Sequence, residues 1–166
     1  MLQLSGMPLD AFERKYVTIK VDGFDFNVRV IIFGDIGKPT LVLTHGYASF
    51  AASHFMILKQ LAEHYRVVMF DNSSWGANTR LDQCSGLESS EKADAYLLEW
   101  LKAFFDAIET DLPKSPEKFY LYGHSNGGYQ LGLYASQYPE RIAKLFLNSP
   151  SGTRPFPNMQ EYDPYT

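Results

Sequence analysis

The run Phe119-Tyr120-Leu121-Tyr122 passes directly into Gly123-His124-Ser125-Asn126-Gly127 and then into an amphipathic segment. The apolar run predicts a buried strand and the segment after it a helix, so only a sharp turn separates the two. Gly123 and Gly127 stand two residues before and two after Ser125, where strand and helix crowd each other and a Cβ has little room. Such a turn holds a Ser hydroxyl clear of the backbone at a helix N-terminus, whose free N–H groups favour developing negative charge. The stretch predicts a nucleophilic Ser125.

The rest of the chain supports a strand–turn–helix of this kind. Lys15 to Val21 and Phe24 to Phe33 are two β-rich runs around Asp22-Gly23, a strong hairpin signal. Thr40 to Thr44 is a short, continuous apolar run of the kind expected of a strand buried on both faces. A helical pattern follows from about Ser53, with Ile57, Leu58, Leu61 and Tyr65 on one side. Tyr65 to Phe70 reads as a further buried strand, followed by a loop. Ser90 is the expected N-cap of the longest helix, with Glu91 in its first turn and one stripe of Leu97, Leu98, Leu101, Phe104, Phe105 and Ile108. A helix from about Asn126 to Tyr138 stops at Pro139, and Leu145-Phe146-Leu147 is one more strand. A hairpin followed by β-α-β-α-β-α-β predicts an α/β fold with a mostly parallel sheet and helices on both faces.

In open sheets of this kind ligands bind beyond the carboxyl ends of the strands. His45-Gly46-Tyr47, Asp71, Ser125 and Ser149 all fall at those ends. The domain is expected over 15–157, with a lead-in at 1–14 and a polar tail at 158–166.

Composition narrows the partners. The chain has 166 residues and a net charge of −4, and a pI near 5.5, which argues against nucleic acid. Cys84 is the single cysteine, so no internal disulfide and no Cys pair for a metal is expected. No apolar run approaches the ~18 residues of a membrane span. The expectation is a cytoplasmic protein acting on a small molecule, with peripheral lipid contact at most and no cofactor or metal.

A Ser hydroxyl needs a base to take its proton, and its attack on a carbonyl creates an oxyanion that needs preorganised donors. One donor is expected from the backbone N–H after the nucleophile, at Asn126, and the other from the loop after the first buried parallel strand. That loop is His45-Gly46-Tyr47: Tyr47 offers its N–H, Gly46 lets the backbone pass close to a substrate, and His45 is expected to hold the loop. Asp71 is read as a partner for loop backbone. Tyr47 and Trp75 could equally line an acyl pocket or simply pack.

Taken together, TLVLTHGY, YRVVMFDNSSWG, GHSNGG and YASQYPERIAKLFLNSP resemble the α/β-hydrolase superfamily over roughly residues 24–157. The EWLKAF helix and the Ser149-Pro150-Ser151-Gly152-Thr153-Arg154-Pro155 segment look most like a lipid-handling subgroup of lysophospholipid and N-acyl-phospholipid hydrolases and lipid-droplet lipase coactivators. The resemblance implies a serine hydrolase of esters or amides, with Ser125 as nucleophile and Asn126 and Tyr47 as oxyanion donors. It also marks departures. Ser74 and Asn78 stand where relatives carry a glycine-richer turn. The superfamily orders its triad Ser, acid, His along the chain, yet His45, His54, His64 and His124 all precede Ser125.

The acids after Ser125 are Glu140, Glu161 and Asp163, with Asp163 a possible displaced triad acid. The chain is therefore expected to be an N-terminal portion, inactive alone, with triad acid and His beyond residue 166. The alternative is a non-catalytic hydrolase-fold protein that binds a lipid or a protein.

Overall fold

The computed structural model describes residues 1–80, 89–114 and 116–152. The expectations placed on Cys84, Glu161, Asp163 and the tail fall outside these residues. Within the lead-in lie two short 3₁₀ turns, Leu2–Ser5 and Leu9–Ala11. Strand β1 (Glu13–Val21) already begins inside it and pairs antiparallel with β2 (Phe24–Phe33). Asp22 and Gly23 make the turn with φ of 49° and 79°, the positive values that a two-residue hairpin loop requires at both positions.

The elements that follow are β3 (Thr40–Thr44), a 3₁₀ segment Ala51–Ile57 running into α1 (Leu58–Ala62), and β4 (Arg66–Phe70). Next come α2 (Ser90–Asp111), β5 (Phe119–His124), α3 (Asn126–Gln137) and β6 (Ile142–Asn148). Two helix starts differ from the sequence reading. The helix expected from Ser53 is mostly 3₁₀, broken at His54 (φ −85°, ψ 18°). The cap of α2 is Ser89, not Ser90: Ser89 is extended and its Oγ accepts from the Lys92 N–H at 3.3 Å. Ser90 already has helical geometry, so its hydroxyl is one residue too late to cap.

One sheet holds all six strands in the order β1-β2-β4-β3-β5-β6. β2 joins β4 antiparallel, while β4, β3, β5 and β6 are mutually parallel. Every residue of β3 and β4 is buried, because helices cover both faces. On one face Trp100, Leu101, Phe104, Phe105 and Ile108 of α2 and Leu131 and Tyr134 of α3 pack on Val30, Val42, Val68 and Leu121. On the other, Phe12, Ala51 and Leu58 pack on Ile31, Leu41, Leu43 and Met69. Burying each large apolar side chain contributes about 1.5–3 kcal/mol, so the two clusters fix which way each strand faces.

The chain leaves β3 toward β4 on one side, then crosses through α2 to β5 on the other. The carboxyl ends of β3 and β5 are thus neighbours whose onward chains diverge, which opens a crevice between them. His45 and Ser125 follow directly on those two strand ends.

Candidate active site

Ser125 adopts φ 52°, ψ −118°, a backbone state that costs a non-glycine residue about 1–3 kcal/mol and persists only where its surroundings impose it. The Ser125 N–H donates to the Asn148 carbonyl at 3.0 Å, and its own carbonyl accepts from Tyr129 at 3.2 Å and Ser151 at 3.0 Å. The turn is thereby tied to β6, to the first turn of α3 and to the loop after β6. A Cβ on Gly123 would lie 2.5 Å from the Gly127 carbonyl oxygen, and one on Gly127 would lie 2.5 Å from that of His45. These approaches are too short for any side chain. They let α3 sit down on β5 and bring the loop after β3 against the turn.

Gly46 carries that contact to the serine itself. A Cβ there would lie 3.1 Å from both Ser125 Cβ and His124 Nδ1, so the loop at Gly46 passes close to the serine. The Tyr47 ring is 75% exposed and meets Trp75 edge-on at 4.9 Å. The loop that carries Tyr47 thus comes up to Ser125 at Gly46, while the Tyr47 side chain belongs to the outer rim.

His45 is fully buried and serves the loop. Its Nδ1 lies 2.7 Å from the Gly46 carbonyl, and its Nε2 lies 3.1 Å from the Asn72 backbone nitrogen. Only the neutral ring with hydrogen on Nδ1 satisfies both. Burial pushes its pKa down, against the Gly46 carbonyl and Asp71, which pull it up. The Asn72 amide donates to the His45 carbonyl at 2.7 Å and its Oδ1 accepts from the Thr44 hydroxyl, lacing the end of β3 to the end of β4.

Asp71 is buried too, and its oxygens accept from the N–H groups of Ala51 at 2.6 Å and Ala77 at 3.0 Å. It anchors loops, as the sequence reading had it. Asn78 closes the network: its amide donates to the Asp71 and Asn72 carbonyls at 2.6 and 2.9 Å, and its Oδ1 accepts from the Arg29 N–H at 2.7 Å.

Asn72 is the structural residue that sequence reasoning passed over, and Asn78 it marked only as a departure from a glycine-richer turn. The available signal was the departure from a glycine-rich turn: a carboxamide replaces backbone freedom with side-chain hydrogen bonds to the same loop.

His124 shares the neighbourhood of Gly46 with Ser125 and faces a second histidine. Its ring lies 6.3 Å from that of His54, which also meets Tyr122 edge-on at 5.7 Å. Burial, with the neighbouring His124, pushes His54 down to about 4. Among the described residues neither ring hydrogen-bonds Ser125, and Glu140 lies in a 3₁₀ turn after α3 (Pro139–Arg141). No described acid or histidine therefore completes a triad on Ser125. Among the described residues no group of His, Cys, Asp and Glu could hold a metal ion, and no helix is long and apolar enough to cross a membrane.

The family model of the alpha/beta hydrolase fold matches residues 39–165. The chain belongs to the α/β-hydrolase family. It is 33% identical over 120 residues to a 1-acylglycerol-3-phosphate O-acyltransferase of Arabidopsis thaliana, a match covering 70% of this chain and 26% of that one. It is 32% identical over 142 residues to a 2-hydroxy-6-oxononadienedioate/2-hydroxy-6-oxononatrienedioate hydrolase of Paraburkholderia phymatum, covering 83% of this chain and 45% of that one. The crystal structure of a Bacillus subtilis carboxylesterase superposes with a TM-score of 0.72 at 22% identity, over 90% of this chain and 46% of that one. The chain thus spans about a quarter to a half of the length of these relatives, which agrees with an N-terminal portion of the fold.

Proposed function

We propose that this chain carries the nucleophile half of a serine hydrolase acting on carboxylic esters or amides with a lipid-like acyl group. One observation carries the reading: a non-glycine residue held at φ 52° in a strand-to-helix turn, with Gly46 so near that a Cβ on it would lie 3.1 Å from the serine's own. A serine kept strained at a helix N-terminus beside a second backbone loop is the arrangement that acyl transfer needs. The family membership and a relative named as a 1-acylglycerol-3-phosphate O-acyltransferase add support.

In this reading Ser125 Oγ attacks the substrate carbonyl carbon as a base removes its proton. The carbonyl oxygen becomes an oxyanion and accepts hydrogen bonds from the N–H groups of Asn126 and Tyr47. Collapse expels the alcohol or amine, which takes a proton, and leaves the acyl group on Ser125 for water to remove.

His45 cannot be the base, because both its nitrogens are committed to the loop. His124 and His54 face one another, and among the described residues neither hydrogen-bonds the hydroxyl. No histidine follows Ser125 in these 166 residues. The reading therefore draws its base and acid from sequence outside them.

The test compares the isolated chain with the whole protein that carries it, using short- and long-chain nitrophenyl esters. The whole protein is expected to turn over ester and to lose roughly 10⁴-fold or more in Ser125→Ala, while the isolated chain stays at background. Turnover unaffected by Ser125→Ala would overturn the nucleophile assignment. Ser125-dependent turnover by the isolated chain would overturn the missing base.

A further inference from the structure

A cleft of about 430 Å³ opens beside the crevice, between the 3₁₀ segment at Ala51 and the loop from Asp71 to Arg80. Arg29 and Arg80 supply its two positive charges, and Phe50 and Trp75 are among its apolar walls. Arg29 is half-buried on β2, and the Asn78 bond to its backbone fixes where its side chain starts. Arg80 is set beside the same strand by a double tie, since Thr79 N–H donates to the Asn27 carbonyl at 3.0 Å and Asn27 N–H to Thr79 Oγ1 at 2.9 Å.

The Arg80 guanidinium donates to the Gly76 carbonyl at 3.1 Å, which leaves most of its five donors free. Among the described residues neither guanidinium has a carboxylate within ion-pair distance. Asp71 also lines the cleft, but each of its oxygens already accepts a backbone N–H.

Two forked guanidinium groups in one cleft match a tetrahedral dianion, which each can bind through parallel N–H···O bonds. A phosphomonoester carries between one and two negative charges near neutral pH, offsetting the pair. The cleft is larger than a phosphate needs and falls within the ~300–1,000 Å³ of small-molecule sites. Its aromatic walls suit an organic remainder.

We propose that the cleft lined by Arg29 and Arg80 binds the phosphate group of an organic phosphomonoester, free or as a lipid head group. Trp75 touches Tyr47, so such a head group would sit across the aromatic rim from Ser125. Its use as part of an ester substrate rests on the hydrolase reading; the anion site itself does not.

Calorimetric titration with inorganic phosphate, glycerol 3-phosphate, glycerol and a monomeric 1-acylglycerol 3-phosphate tests this. Trp75 fluorescence locates the binding, because the other tryptophan, Trp100, is fully buried. Expected are saturable binding of glycerol 3-phosphate but not glycerol, a loss of about tenfold in each of Arg29→Gln and Arg80→Gln, and no change in Ser125→Ala. Tighter binding of the acylated probe would assign a lipid head group, and equal binding a free phosphomonoester.

No saturable binding of any phosphate probe would overturn the proposal. So would unchanged affinity in Arg80→Gln, a variant at an exposed position that has no core packing to lose. If binding persists while the whole protein shows no Ser125-dependent turnover, the hydrolase reading fails and the anion site stands.

Discussion

Gly127 shows how little freedom the turn has. Its missing side chain admits the His45 carbonyl, and a Cβ there would also sit 2.8 Å from Thr44 Cγ2. Gly127→Ala must push α3 off the end of β3, at a cost of about 1–3 kcal/mol, read as a lower urea midpoint at unchanged m-value. His54 gives a second expectation at the same scale. Its pKa falls from 6.5 unfolded to about 4 in the fold, so the unfolded chain binds the proton more readily between those values. Stability from this group is complete above pH 6.5 and is lost as pH falls through 4, by an amount on the order of 1–3 kcal/mol.

His45 shifts in the same direction and adds to the slope. Denaturation at pH 7 and pH 5 should show the loss, and His54→Phe, which keeps a ring against Tyr122, should flatten part of it. A variant with the full wild-type slope would show that His54 does not carry it. Individual residues were unevenly legible in the sequence. Ser125 and Gly123 could be read as residues of a sharp strand-to-helix turn because that turn follows from local chain geometry. Asn72 and Asn78 could not, because their partners, the His45 carbonyl and the Arg29 N–H, lie far away in sequence.

At the scale of elements, α2 was the easiest to find and its start the easiest to misplace. Its stripe of Leu101, Phe104, Phe105 and Ile108 is fully buried against the sheet, so its period alone fixed its buried face. Ser89 and Ser90 are equivalent as residue types, and only the backbone at Ser89 selects it as the cap. Ser89→Ala is expected to cost about 1 kcal/mol and Ser90→Ala much less, which a pair of thermal melts would check; equal losses would contradict the assignment. The segment from Ala51 was the poorest reading. Its apolar spacing suits a helix, but the Ala51 N–H is held by Asp71, and the break at His54 leaves only Leu58–Ala62 to α1.

Across the whole molecule the two sheet edges differ. β1 carries Glu13, Arg14, Lys15 and Lys20, charges that discourage pairing with another chain. β6 reads IAKLFLN, and Phe146 and Leu147 are 41% and 44% exposed. Among the described residues no strand pairs with its outer side. The isolated chain is therefore expected to associate with rising concentration, and Phe146→Lys with Leu147→Lys together to suppress this. Light scattering across a dilution series reads the effect, and association unchanged by the double variant would place the contact elsewhere. The alternation of strands and helices predicted this sheet and the strand ends where the site gathers. It could not predict the order β4-β3-β5, which depends on α2 crossing from one side of β3 to the other.

By itself the sequence determined the turn at Ser125, the strands and helices around it, and the family to which they belong, because each follows from contacts within a few residues. Tertiary structure alone decided that Gly46 lies close to Ser125, that His45 is a neutral loop anchor, and that Arg29 and Arg80 line one cleft. Those are contacts between segments as many as 79 residues apart, from Gly46 to Ser125. They exist because two apolar faces bury one sheet and bring its carboxyl ends together.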